Sequence, residues 1–137
     1  MKTFKNIILS KNNNGISRII LNDSKTYNSL SLSTINSLIA VFKTLEKDKK
    51  TKVIIIEGAG KGFSAGHNLN EIQSLKNKTS YQKLFNQCSK LMMNIINHNK
   101  PVIAKVHGAA FAAGCQLVAS CDLAFSSKEA IDRKSVV

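Results

Sequence analysis

Two glycine- and alanine-rich stretches hold the residues whose types and spacing could do chemistry. They are Gly62-Phe-Ser-Ala-Gly-His-Asn-Leu-Asn-Glu71 and Gly108-Ala-Ala-Phe-Ala-Ala-Gly-Cys-Gln-Leu-Val-Ala-Ser-Cys-Asp122. Each follows a short apolar run and opens toward a helix. Small side chains leave the backbone N–H groups uncovered. Two such turns in one small domain can aim two donors at one oxygen, and donors fixed before reaction stabilise a developing oxyanion. The chemistry expected is that of an acyl group.

Other motif readings of the same residues fail or weaken. In Gly58-Ala-Gly-Lys-Gly-Phe63, Phe63 occupies the last glycine position of a dinucleotide fingerprint, and Gly62 replaces the Ser or Thr that a P-loop needs after Gly-Lys. Gly62-Phe-Ser-Ala-Gly66 does match a nucleophile elbow, with Ser64 as nucleophile and Glu71 and His98 or His107 in the required order. Its context argues against it. A glycine loop separates Glu57 from Ser64, His98 falls at a helix end, and His107 comes just after a strand.

The elements that must position these turns are read from periodicity. Residues 5–9 and 17–21 are β-rich runs around the turn Asn12–Gly15, which predicts a hairpin. Leu32, Ile35, Leu38, Ile39, Phe42 and Leu45 mark one helix, capped by Ser31 or Ser33. Residues 52–56 form a continuous apolar strand, expected to be covered on both sides. Tyr81, Leu84, Phe85, Cys88, Leu91, Met92, Ile95 and Ile96 predict a second helix with a core face. Pro101 starts the strand 102–106. A short helix over 113–120 and a strand over 123–127 follow, the strand at an open sheet edge. Alternation of this kind predicts an α/β fold.

The 137 residues suffice for one domain. No apolar run approaches the length that spans a bilayer. The N-terminus resembles neither a signal peptide nor a transit peptide. The net charge is +12, almost all from Lys, which favours anionic partners such as nucleic acid, acidic membranes or a phosphorylated ligand. An AT-rich coding sequence would give the same composition, so both readings stay open. Lys43, Lys47, Lys49, Lys50 and Lys52 could serve RNA, but they fall on different helix faces and no aromatic residues interleave, so nucleic acid is not expected. Cys88, Cys115 and Cys121 lack metal-ligand spacing and read as buried free thiols; no metal site is expected.

Three phrases in order carry a family resemblance: Phe63–Glu71, Cys88-Ser-Lys-Leu-Met-Met-Asn-Ile-Ile-Asn-His98 and Ala112–Asp122. The chain resembles the crotonase, or enoyl-CoA hydratase/isomerase, superfamily from about Ile7 to Ser127. The resemblance implies a spiral of ββα units, of which residues 1–127 are the N-terminal part. Residues 128–137 are expected to be a non-matching, artefactual tail. It also implies a coenzyme A thioester as ligand, no permanently bound cofactor, trimers or hexamers at full length, and a place in fatty acid and lipid metabolism. The backbone N–H groups of His67 and Ala113 would form the oxyanion hole. Lys25, His67, Asn68, Leu69, Asn70 and Ala113 would contact the coenzyme A thioester. Gln116 stands where hydratases of the family have Glu, and an amide accepts no proton near neutral pH, so ordinary hydration is not expected. An active hydratase or isomerase and an RNA-binding module remain the alternatives. The resembled branch implies a mitochondrial location, with a cytoplasmic one as alternative because no transit peptide is visible.

Overall fold

The computed structural model describes residues 1–133. Strand β1 (Lys2–Phe4) turns at Lys5 and Asn6 into β2 (Ile7–Lys11), with Phe4 opposite Ile7. Asn6 adopts φ 60°, a conformation that Asn tolerates better than most residues. Lys5 and Asn6, assigned by sequence to a strand over 5–9, therefore make a turn. Strand β2 pairs antiparallel with β3 (Ile16–Leu21), Ile7 opposite Leu21, across the expected turn at Asn12–Gly15.

After β3 the strands are parallel, and parallel neighbours need long crossovers. Helix α1 (Leu32–Lys47) returns the chain to β4 (Val53–Gly58). Ser31 caps α1, its hydroxyl accepting from the Thr34 N–H at 3.2 Å. Helices α2 (Leu69–Ser74) and α3 (Lys78–Ile96) lead to β5 (Val102–Val106) beside β4. Then come β6 (Ala109–Phe111), α4 (Ala113–Ala119) and β7 (Leu123–Ser126), the last parallel to β5. The six-stranded sheet has the order β1-β2-β3-β4-β5-β7. Residues Ile131–Arg133, assigned by sequence to a tail outside any element, form β8 and pair parallel with β6 in a second small sheet. Residues 134–137 lie outside the described residues.

Apolar side chains collect on one face of the large sheet. Ile19, Leu21, Ile54, Ile56, Val102 and Ala104 pack there with Ile35, Leu38, Phe42 and Leu45 of α1 and Leu84, Cys88, Leu91 and Ile95 of α3. Each large aliphatic side chain so buried contributes roughly 1.5–3 kcal/mol. The other face is less covered. Val53 and Ile55 are half-buried, so β4 is fully covered on one side, not both. Glu57 is buried on that second face and pairs with Arg18 of β3 and, at 3.0 Å, with Lys105 of β5. Strand β7 is the sheet edge, and all four of its residues are exposed.

Candidate functional site

The two glycine- and alanine-rich turns are joined to each other through backbone. The N–H groups of Phe63 and Ser64 both donate to the Ala109 carbonyl, at 2.9 and 3.0 Å, and the Phe111 N–H donates to the Ser64 carbonyl at 2.9 Å. Ser64 is fully buried; its hydroxyl donates to the Asn28 carbonyl at 2.9 Å and accepts from the Gly66 N–H at 3.2 Å. The close approach explains the small residues. A Cβ on Gly66, at φ 90°, would lie 2.8 Å from the Phe111 carbonyl oxygen and 3.1 Å from the Ala113 nitrogen. A Cβ on Gly114 would lie 2.3 Å from the Ser64 carbonyl oxygen.

His67 follows this contact, and Ala113 begins α4 across it. The first N–H groups of a helix have no partner within the helix. Among the described residues, neither the His67 nor the Ala113 N–H has an acceptor. Ala112, which precedes α4, holds φ 50° and ψ −118°. The turn opens on a cavity of about 530 Å³ lined by His67, Phe85, Ala112, Ala113, Cys115, Gln116 and Ala119. A second cavity of about 310 Å³ is lined by Lys25, Thr26, Ser29, Ala65, His67, Asn68, Leu69 and Asn70. The structure thus gathers Lys25, His67, Asn68, Leu69 and Asn70 around one cavity, and His67, Ala113 and Gln116 around the other. His67 belongs to both.

Several side chains take roles that the sequence did not reveal. The His67 ring is half-buried and meets Phe85 edge-on, with centroids 5.2 Å apart. Its Nδ1 is buried and has no hydrogen-bond partner among the described residues. Burial pushes the imidazole below its ordinary value, against the pull of the Leu30 backbone and the Glu71 carboxylate. Phe85 and Ile96, which the helical period assigns to the core, are 45% and 55% exposed, and Phe85 faces the cavity instead. Its place at the margin of the apolar face of α3 was the available signal. Asn68 caps α2 by accepting from the Glu71 N–H at 3.1 Å. A Glu71 carboxylate oxygen in turn accepts from the Leu32 N–H at the start of α1, at 2.8 Å.

The hydrolase reading does not survive this geometry. Ser64 is sealed, Glu71 is engaged by Leu32, and the ring nitrogens of His98 and His107 face the carbonyls of Phe42 and Gly60. The thiols are free, but only Cys88 is buried; Cys115 is half-buried and lines the larger cavity, a correction to the expectation of three buried thiols. Burial raises the Cys88 thiol and, with the Asp122 charge, pushes Cys121 up to about 12.

The sequence profile of the enoyl-CoA hydratase/isomerase family matches residues 11–134. The chain belongs to that family. It is 46% identical over 113 residues to human "enoyl-CoA hydratase domain-containing protein 3, mitochondrial", covering 82% of this chain and 37% of the human one. The Danio rerio protein of the same name is 44% identical over 123 residues, or 90% of this chain and 43% of that one. The crystal structure of the human protein superposes with a TM-score of 0.89 at 40% identity, over 94% of this chain and 51% of that chain. An enoyl-CoA hydratase from Mycobacterium smegmatis gives the same TM-score at 38% identity. This enoyl-CoA hydratase/isomerase family chain thus spans well under half the length of those curated relatives and about half of the solved chains. The crotonase fold expected from sequence is the fold found, in its N-terminal part.

Proposed function

We propose that this chain holds the carbonyl end of an acyl-coenzyme A thioester between the N–H groups of His67 and Ala113. The observation that supports the reading is the pair of uncommitted N–H groups, on residues that meet at Gly66 and line one cavity. In the larger cavity the acyl group lies against Phe85, Ala112 and Ala119, with Gln116 close to the carbonyl. Toward the smaller cavity, His67-Asn-Leu-Asn70 borders the coenzyme A portion, and the ammonium of Lys25 serves its phosphates. No resident cofactor is needed for this.

Two backbone donors suffice to polarise a thioester carbonyl, each contributing roughly 3–4 kcal/mol where an oxyanion develops. Water addition across a double bond asks for a base as well. Gln116 offers an amide, which binds water but takes no proton near neutral pH. The reading is therefore an acyl-CoA-binding member of the family with a polarising site and no ordinary hydratase activity. The mitochondrial names of its relatives favour a role in mitochondrial lipid metabolism.

Calorimetric titration with crotonyl-CoA tests this, with 3-hydroxyacyl product followed in parallel. Saturable binding without hydration is expected, together with much weaker binding of free coenzyme A. Rapid formation of the hydroxyacyl thioester would overturn the role given to Gln116, and no binding would overturn the site.

A further inference from the structure

A site that polarises a thioester carbonyl acidifies the carbon beside it, and only a proton acceptor turns that into turnover. Of the side chains lining the larger cavity, the His67 imidazole is the one whose chemistry suits a base near neutrality. His67 is held for such work. Phe85 braces its ring edge-on, which fixes the plane. Nδ1 is sealed inside the protein, whereas Nε2 is not among the sealed atoms. With Nδ1 sealed and unpartnered, Nε2 is the ring nitrogen that a bound ligand can reach.

We propose that Nε2 of His67 is the acid–base group of this site. It takes a proton from the carbon next to the bound thioester carbonyl. The C–H electron pair forms the enolate double bond, and the carbonyl π pair moves onto oxygen. The N–H groups of His67 and Ala113 hold that oxygen, and the imidazolium returns the proton to carbon. Proton exchange or double-bond migration results, and no other reactant is consumed. The inference rests on the thioester reading above. Burial disfavours the charged imidazole, which suits a base. The groups that bear on it are Glu71 of α2 and the Leu30 backbone, which favour its protonation, Lys25 across the smaller cavity, and the Cys115 thiol of α4.

The test is the loss of the α-protons of butyryl-CoA in D2O, followed by proton NMR with the full chain. Exchange is expected, rising with pH and levelling off below the ordinary histidine midpoint. His67→Gln and His67→Phe both keep the backbone N–H. Each is expected to slow exchange at saturating butyryl-CoA by roughly 10²–10⁴-fold, with binding followed by calorimetry to set that saturation. In the unsubstituted chain, bound butyryl-CoA is expected to shift the NMR titration midpoint of the His67 Cε1 proton. Failure of butyryl-CoA to bind at all would sink the thioester reading itself. Binding without exchange, exchange undiminished in either variant, or an unmoved His67 midpoint with ligand bound would overturn the His67 proposal alone.

Discussion

Ala112 shows what the site demands of a single residue. Its φ of 50° with ψ −118° is a region that glycine enters freely and alanine does not. Such a conformation costs of order 1–3 kcal/mol and persists only where the surroundings enforce it. Here the enforcement is visible: the Phe111 N–H is tied to Ser64, and α4 starts one residue later. The outcome is an Ala113 N–H that has no acceptor among the described residues. Ala112→Gly relieves the strain but gives the unfolded chain more freedom, a smaller effect of about 0.4–1 kcal/mol. The net expectation is a gain of roughly 1 kcal/mol, read as a higher urea midpoint at constant slope. An unchanged or lower midpoint would mean that the turn stores no strain.

Among the elements, α2 does more than its six residues suggest. Its first turn carries the residues that border the smaller cavity, and its Glu71 accepts from the Leu32 N–H that opens α1. One carboxylate therefore locks the cavity wall to the start of a core helix. Glu71→Ala is expected to lower stability by about 0.5–2 kcal/mol, as loss of an N-terminal cap does. Chemical denaturation measures it, and Glu71→Gln, which keeps an acceptor oxygen, should recover most of the loss. The long elements α1, α3, β3, β4 and β5 were legible because apolar residues recur there with a clear period or run. Helix α2 was not, since its six residues hold only Leu69 and Ile72 as apolar positions and its one side-chain cap is the neighbouring Asn68. Strands β1 and β6 are three residues each and exist through their partners: Lys2–Phe4 through β2, Ala109 through the N–H groups of Phe63 and Ser64. The site divided along the same line. The glycine and alanine pattern pointed to two turns that could present donors, and the family resemblance, not the pattern, singled out His67 and Ala113 within them. The setting of the His67 ring could be read from neither, because Phe85 reaches it from α3.

At the scale of the molecule, the large sheet is finished on one face and open on the other. Leu123 and Phe125 of β7 are 57% and 65% exposed, on an edge strand whose outward N–H and C=O groups lack a neighbour among the described residues. Such an edge invites association. Replacing both Leu123 and Phe125 by Lys is expected to suppress light scattering on heating while leaving the far-UV circular dichroism unchanged; persistent scattering would assign the aggregation to another surface. The joining of the two turns bears on how the molecule reaches this state. The N–H groups of His67 and Ala113 are separated in the chain by α2, α3, β5 and β6, and they meet only when Phe63 and Ser64 find Ala109. Closing so long a loop comes late in folding, because its entropy must be spent before its contacts form. In a refolding experiment, the thioester binding proposed above should therefore emerge with the final kinetic phase, after the helices have already formed.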